Sequence, residues 1–114
     1  AAVTDPREAV EAAIQSYARA MESRQIAEVR RAYPGIQPEQ ESQVAQTLRS
    51  MEQLKVTMRV VALNVAGSTA TANVTGLYEF RSRDTRRDER LPVELIVTLE
   101  SSAGGWVIRQ IRNR

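Results

Sequence analysis

The sequence predicts an α+β domain: three N-terminal helices packed on the concave face of a curved, four-stranded antiparallel meander. Three observations carry this. Apolar residues recur at spacings of three and four through the first half of the chain and at spacings of two after Lys55. Pro and Gly punctuate the helical half, and short turn sequences divide the rest into four alternating segments. Helices gathered before strands, rather than alternating with them, mean α+β. The 114 residues suit a single domain spanning 1–114.

The first helix begins at "TDPREAV", where Thr4 or Asp5 caps and Pro6 fits the first turn without losing a bond. Val10, Ile14, Tyr17 and Met21 then form one apolar stripe. A shorter second helix carries Ile26, Val29 and Tyr33. It must stop at about Tyr33, because Pro34 lacks a donor and clashes with the preceding turn. Gly35 lets the chain reverse, Ile36 tucks back as an apolar plug, and Pro38 opens a third helix with Val44, Leu48, Met51 and Leu54 on its inner side.

From Lys55 the period is two. Val56, Met58 and Val60 are in one phase and Val61, Leu63 and Val65 in the other, so a β-bulge is expected near Val60 and Val61. "AGST" is a tight turn. Ala70, Ala72, Val74, Gly76, Tyr78 and Phe80 share one face of the next strand, and Leu91, Val93, Leu95, Val97 and Leu99 share one face of the third. "SAGG" turns into the last strand, where Trp106 and Ile108 are in phase and Ile111 is slipped by one, the mark of a second bulge.

Composition excludes several chemistries. There is no Cys and no His, so thiolate metal sites and Ser-His or Cys-His catalysis are absent. No apolar run approaches the roughly 20 residues of a membrane span, so membrane contact is not expected. The net charge of +2 is small, and Lys55 is the only lysine, a bias that reads as genome composition. The chain starts "AAVTDP" without an initiator Met, which reads as a domain excised from a longer protein, with a processed mature chain as the other reading. The compartment is undetermined.

The segments "YARAMESRQIAEVRRAYPG" and "GGWVIRQI", on either side of a further helix and a meander, resemble the nuclear transport factor two-like superfamily. Ketosteroid isomerase, scytalone dehydratase and polyketide cyclase-like proteins share its fold, so the resemblance implies a cystatin-like cone. The matching elements are Tyr17, the Tyr33-Pro34 pair, the turn before Thr69, and Trp106 with Ile108. They mark the fold, not a reaction. More narrowly, the chain resembles accessory domains of larger bacterial proteins. The resemblance implies a pocket between helices and sheet, where enzymes of the superfamily place Asp, His or Tyr. Here the inward strand face carries no carboxylate, so a general base is missing.

The expected pocket lining is Tyr17, Met21, Tyr33, Met51, Tyr78 and Trp106, with core packing as the competing role of each. No catalytic residue, metal ligand or cofactor is expected. The expected function is a non-catalytic accessory domain that binds a small apolar or amphipathic ligand or docks to other domains of a parent protein. The alternative is a small isomerase- or dehydratase-like enzyme using Tyr hydroxyls. Arg81, Arg83, Arg86, Arg87 and Arg90 crowd one hairpin with Asp84, Asp88 and Glu89. That loop reads as a solvated tip that discourages edge pairing, or as an Arg-lined grip for an anion. Interrupting acids argue against nucleic acid. The outer sheet face is rich in Thr, with Leu77 and Ile96 its main apolar members, and suits a monomer or a weak homodimer.

Overall fold

The chain folds as α1 (Pro6–Ser23), α2 (Ile26–Ala32), α3 (Pro38–Arg49), β1 (Met51–Ala66), β2 (Thr69–Ser82), β3 (Asp88–Ser102) and β4 (Gly105–Asn113). These elements come from a computed structural model that describes residues 6–102 and 105–113. The expected caps Thr4 and Asp5, and Ala103 and Gly104 of the last turn, lie outside the described residues. The strands pair antiparallel in the order β1-β2-β3-β4.

α1 lays its stripe of Val10, Ile14, Tyr17 and Met21 into the sheet. It packs mainly against β1 and β4, the two edge strands, which means the sheet curls around it. Ile14, Leu48, Val74, Leu99 and Ile108 are among the side chains wholly removed from water. Burial of such side chains contributes about 1.5–3 kcal/mol each.

Three register shifts shape the sheet. The extra residue Val61 lies between the pairs Val60–Val74 and Ala62–Asn73, and Arg109 lies between Leu99–Ile108 and Thr98–Gln110. Both bulges fall where the change of apolar phase places them. A bulge bends its strand and strengthens local twist, which is how a meander acquires curvature.

The third shift corrects the sequence reading. Met51 and Leu54 belong to β1, not to α3. α3 ends at Arg49 and is capped by Ser50, whose hydroxyl donates to the Thr47 carbonyl. The Ser50 carbonyl accepts from the Arg83 N–H at 2.9 Å, and Met51 pairs with Ser82. Between Glu52–Arg81 and Lys55–Glu79 one extra residue enters β1, and Gln53 takes φ 53°. That bulge turns both Met51 and Leu54 inward although they stand three residues apart. A spacing of three is thus shared by a helix and a bulged strand, and sheet pairing decides between them.

The elbow after α2 forms where Pro34 and Pro38 place it, but Gly35 does not take the positive φ expected of it and is needed for space instead. Tyr33 closes the helix, with its N–H on the Val29 carbonyl, and Ile36 N–H turns back to the Tyr33 carbonyl. Gly35 sits against the Arg109 carbonyl, with no room for a Cβ. Gln40 Oε1 accepts from the Gln37 N–H and braces the start of α3.

Candidate functional site

The interior of the cone gathers the three tyrosines. Tyr17 and Tyr33 meet edge to face, with ring centroids 6.2 Å apart. Tyr33 is held at its far end: its oxygen accepts from the Ile111 N–H at 3.0 Å and donates to Gln40 Oε1 at 3.5 Å. Tyr78 stands on β2 between its register partners Val56 and Leu91. Burial pushes the Tyr17 phenol far above its ordinary value, and the neighbouring Tyr78 and Tyr33 phenols add to the shift. Burial alone pushes Tyr78 up to about 12. Both phenols therefore stay protonated near neutrality.

Neither Tyr17 nor Tyr78 has a hydrogen-bond partner for its hydroxyl among the described residues. Every fully buried side-chain polar atom described does have one, so these two oxygens retain contact with solvent-accessible space. What the arrangement offers chemically is two neutral phenol donors in an apolar setting. Among the described residues, Ser82 is the only buried polar or charged side chain. No described carboxylate is buried beside the phenols to serve as a base, and no described group of three carboxylates could hold a metal.

The remaining expected lining is dispersed. Met21 lies one helical turn beyond Tyr17 and is buried. Met51 is buried at the start of β1, opposite Ser82. Trp106 is half-buried and pairs with Ser101, whereas Tyr78 pairs with Leu91. Those two positions on β3 are separated by roughly 30 Å along the strand. The fold thus joins Tyr17, Tyr33 and Tyr78 and sends Trp106 to the other end of the sheet.

One feature of the cone was not legible in the apolar pattern. Among the described residues β4 pairs β3 from Leu95 to Ser102, and β2 is the described neighbour of the earlier residues of β3. Leu91 shares the inward phase of Leu95 and Val97 but is 45% exposed, and Phe80 and Val93 beside it are only half-buried. Leu91 is thus the most exposed of the inward-phase side chains beside Tyr78, while Phe80 and Val93 pack against the core.

The surface has grooves of its own. One of about 640 Å³ runs between α1 and α2, beside Arg19, Ser23 and Arg31. Another of about 400 Å³ lies at the β2–β3 loop, lined by Glu52, Arg81, Ser82, Arg83 and Arg86. Two more lie between α2 and α3 and beside Gln15 and Met58. None of these four is lined by the tyrosines, by Met21 or Met51, or by Trp106. No helix among the described residues is long and apolar enough to cross a membrane.

No family model matches the chain, and no curated protein matches its sequence. Solved structures do resemble it. A nuclear transport factor 2 (NTF2-like) superfamily protein from Salmonella enterica serovar Typhimurium is similar with a TM-score of 0.75 at 15% identity, over 96% of this chain and 89% of that one. A ketosteroid isomerase-like protein from Erwinia carotovora atroseptica is similar at 0.71 and 14% identity, over 96% and 95%. The intermembrane space region of chloroplast protein ARC6 is similar at 0.64 and 13%, over 98% of both. Likeness at such identity concerns architecture, and it agrees with the helix order, the meander and the bulged sheet: the chain has the NTF2-like fold.

Proposed function

We propose that this chain is a non-catalytic accessory domain whose cone takes a small amphipathic ligand. The observation that carries the reading is the pair of protonated phenols of Tyr17 and Tyr78, which have no hydrogen-bond partner and no buried base beside them among the described residues. The apolar part of the ligand packs against Met21, Val56 and Met58, and an acceptor atom receives the phenol protons. Leu91, Phe80 and Val93 form the way in. Met51 and Tyr33 support this lining, and Trp106 packs the far end of the core. The accessory role draws on a fold neighbour that is itself one region of a larger protein.

The second reading is a small isomerase- or dehydratase-like enzyme, favoured by the same phenols acting as electrophiles toward a carbonyl. It requires a general base, and the inward face supplies none among the described residues.

Native mass spectrometry of the purified domain, gentle and then denaturing, tests the proposal. A small molecule lost on denaturation, and absent from a Tyr17→Phe, Tyr78→Phe double variant, is the expected result. A clean mass for both proteins, with no shift in unfolding temperature against a panel of amphipathic carbonyl compounds, would leave the domain as a protein-docking module. The same spectra distinguish a monomer from a weak homodimer formed through the outer sheet face.

A further inference from the structure

We propose that the groove at the β2–β3 loop is a binding site for a small, soluble, multiply charged oxyanion of the phosphate class. The site is separate from the cone. Arg81, Arg83 and Arg86 line it together with Ser82, and the one carboxylate in the lining is Glu52. Glu52 is engaged by Arg83 Nε at 3.4 Å. Among the described residues Arg81 and Arg86 have no carboxylate within ion-pair distance. The acids of the same loop, Asp84, Asp88 and Glu89, are not part of the lining. Three guanidinium groups and one carboxylate therefore line about 400 Å³, an excess of two positive charges in the lining, with Asp88, the register partner of Arg81 on β3, standing outside it.

The groove is also rich in donors. Ser82 is 9% exposed, and its oxygen accepts from the Thr85 N–H at 3.4 Å. Its own O–H has no acceptor among the described residues, so it is free to donate into the groove. Guanidinium forks match the oxygen spacing of phosphate and bind it through paired hydrogen bonds, which an ammonium cannot do.

The cradle is built before any ligand arrives. Ser82 N–H donates to the Arg87 carbonyl at 2.9 Å, and Arg86 N–H donates to the Ser82 carbonyl at 2.8 Å. Arg83 N–H is anchored to the Ser50 carbonyl at the end of α3. An ordered loop loses less entropy on binding than a mobile one. It also holds like charges together, an arrangement that an anion relieves.

Isothermal titration of the intact domain with pyrophosphate as probe, at low ionic strength, tests this. The expected result is saturable binding at one site that weakens as salt is raised. Arg81→Gln and Arg86→Gln each weaken it about tenfold or more. Arg81→Lys keeps the charge and still weakens binding, because the fork is lost. Arg112→Gln, on β4 and outside the groove, leaves affinity unchanged. All three positions are exposed arginines, so folding, checked by circular dichroism, is retained. An absence of heat at millimolar pyrophosphate overturns the proposal. So does an equal loss in Arg112→Gln, which would mean diffuse attraction to a basic surface. Neither outcome bears on the tyrosine-lined cone.

Discussion

The phenol oxygen of Tyr33 accepts a hydrogen bond from the Ile111 N–H at 3.0 Å, tying the elbow after α2 to the last strand across most of the chain. This pair joins the Gly35–Arg109 approach and the packing of α1 in seating the helical layer on β4. Tyr33→Phe keeps the ring against Tyr17 and removes only this tie. A loss of about 1–2 kcal/mol is expected, since a half-buried N–H loses its partner. Urea unfolding of the variant reads it, and an unchanged midpoint would show the tie to be dispensable.

Gly35 rests against the same strand. A Cβ at this position overlaps the Arg109 carbonyl oxygen, a backbone atom that no rotamer change can move. Gly35→Ala should cost about 1–3 kcal/mol through forced displacement of the elbow. Gly67, with open space around it, makes a contrast: its φ of 64° strains an Ala without a collision. A Gly35→Ala protein as stable as the parent would mean that the elbow does not press on the β4 bulge.

Stability should fall at high pH. The folded-state values of Tyr17 and Tyr78 both lie above the unfolded value of 10.0, Tyr78 at about 12. Below pH 10 both states hold these protons and stability is intact. Above it the unfolded chain ionises first, binds fewer protons than the native state, and unfolding becomes easier as pH rises toward about 12. Each phenol contributes a slope of up to about 1.4 kcal/mol per pH unit. Denaturation midpoints across this range, compared with the Tyr17→Phe, Tyr78→Phe variant, check it: the variant should show a visibly shallower decline.

The bulge at the start of β1 makes a prediction of its own. Gln53 is exposed and holds φ 53°, a conformation that a β-branched residue resists. Gln53→Val should destabilise by about 1–2 kcal/mol despite the high strand preference of Val. Gln53→Gly should be near neutral, because relief of the backbone offsets the entropy that Gly adds to the unfolded chain. Thermal unfolding of the two variants separates this from a simple strand-propensity effect, which would rank them in the opposite order.

Much of this architecture was written in local patterns. The stripe of Val10, Ile14, Tyr17 and Met21, the stop at Pro34, and the start at Pro38 are short-range signals, and each element forms where they place it. The phase slips at Val61 and before Ile111 carry over into bulges for the same reason: alternation is a property of consecutive residues. Met51 and Leu54 were not legible, because their spacing fits a helix as well as a bulged strand. Pairing with Ser82 and Arg81, about thirty residues away, resolved the choice.

The candidate site divides along the same line. The sequence determined its chemistry: phenols and thioethers on inward faces, no His, no Cys and no inward acid. Only the tertiary structure decided which of these residues meet. It brought Tyr17 and Tyr33 ring to ring, left the Tyr17 and Tyr78 hydroxyls without a hydrogen-bond partner among the described residues, and sent Trp106 to the far end of the sheet. Among the described residues it also left Leu91 exposed although its phase is inward. The physical reason is that residue type and phase are local, whereas proximity and burial depend on strand register and on where each strand stops.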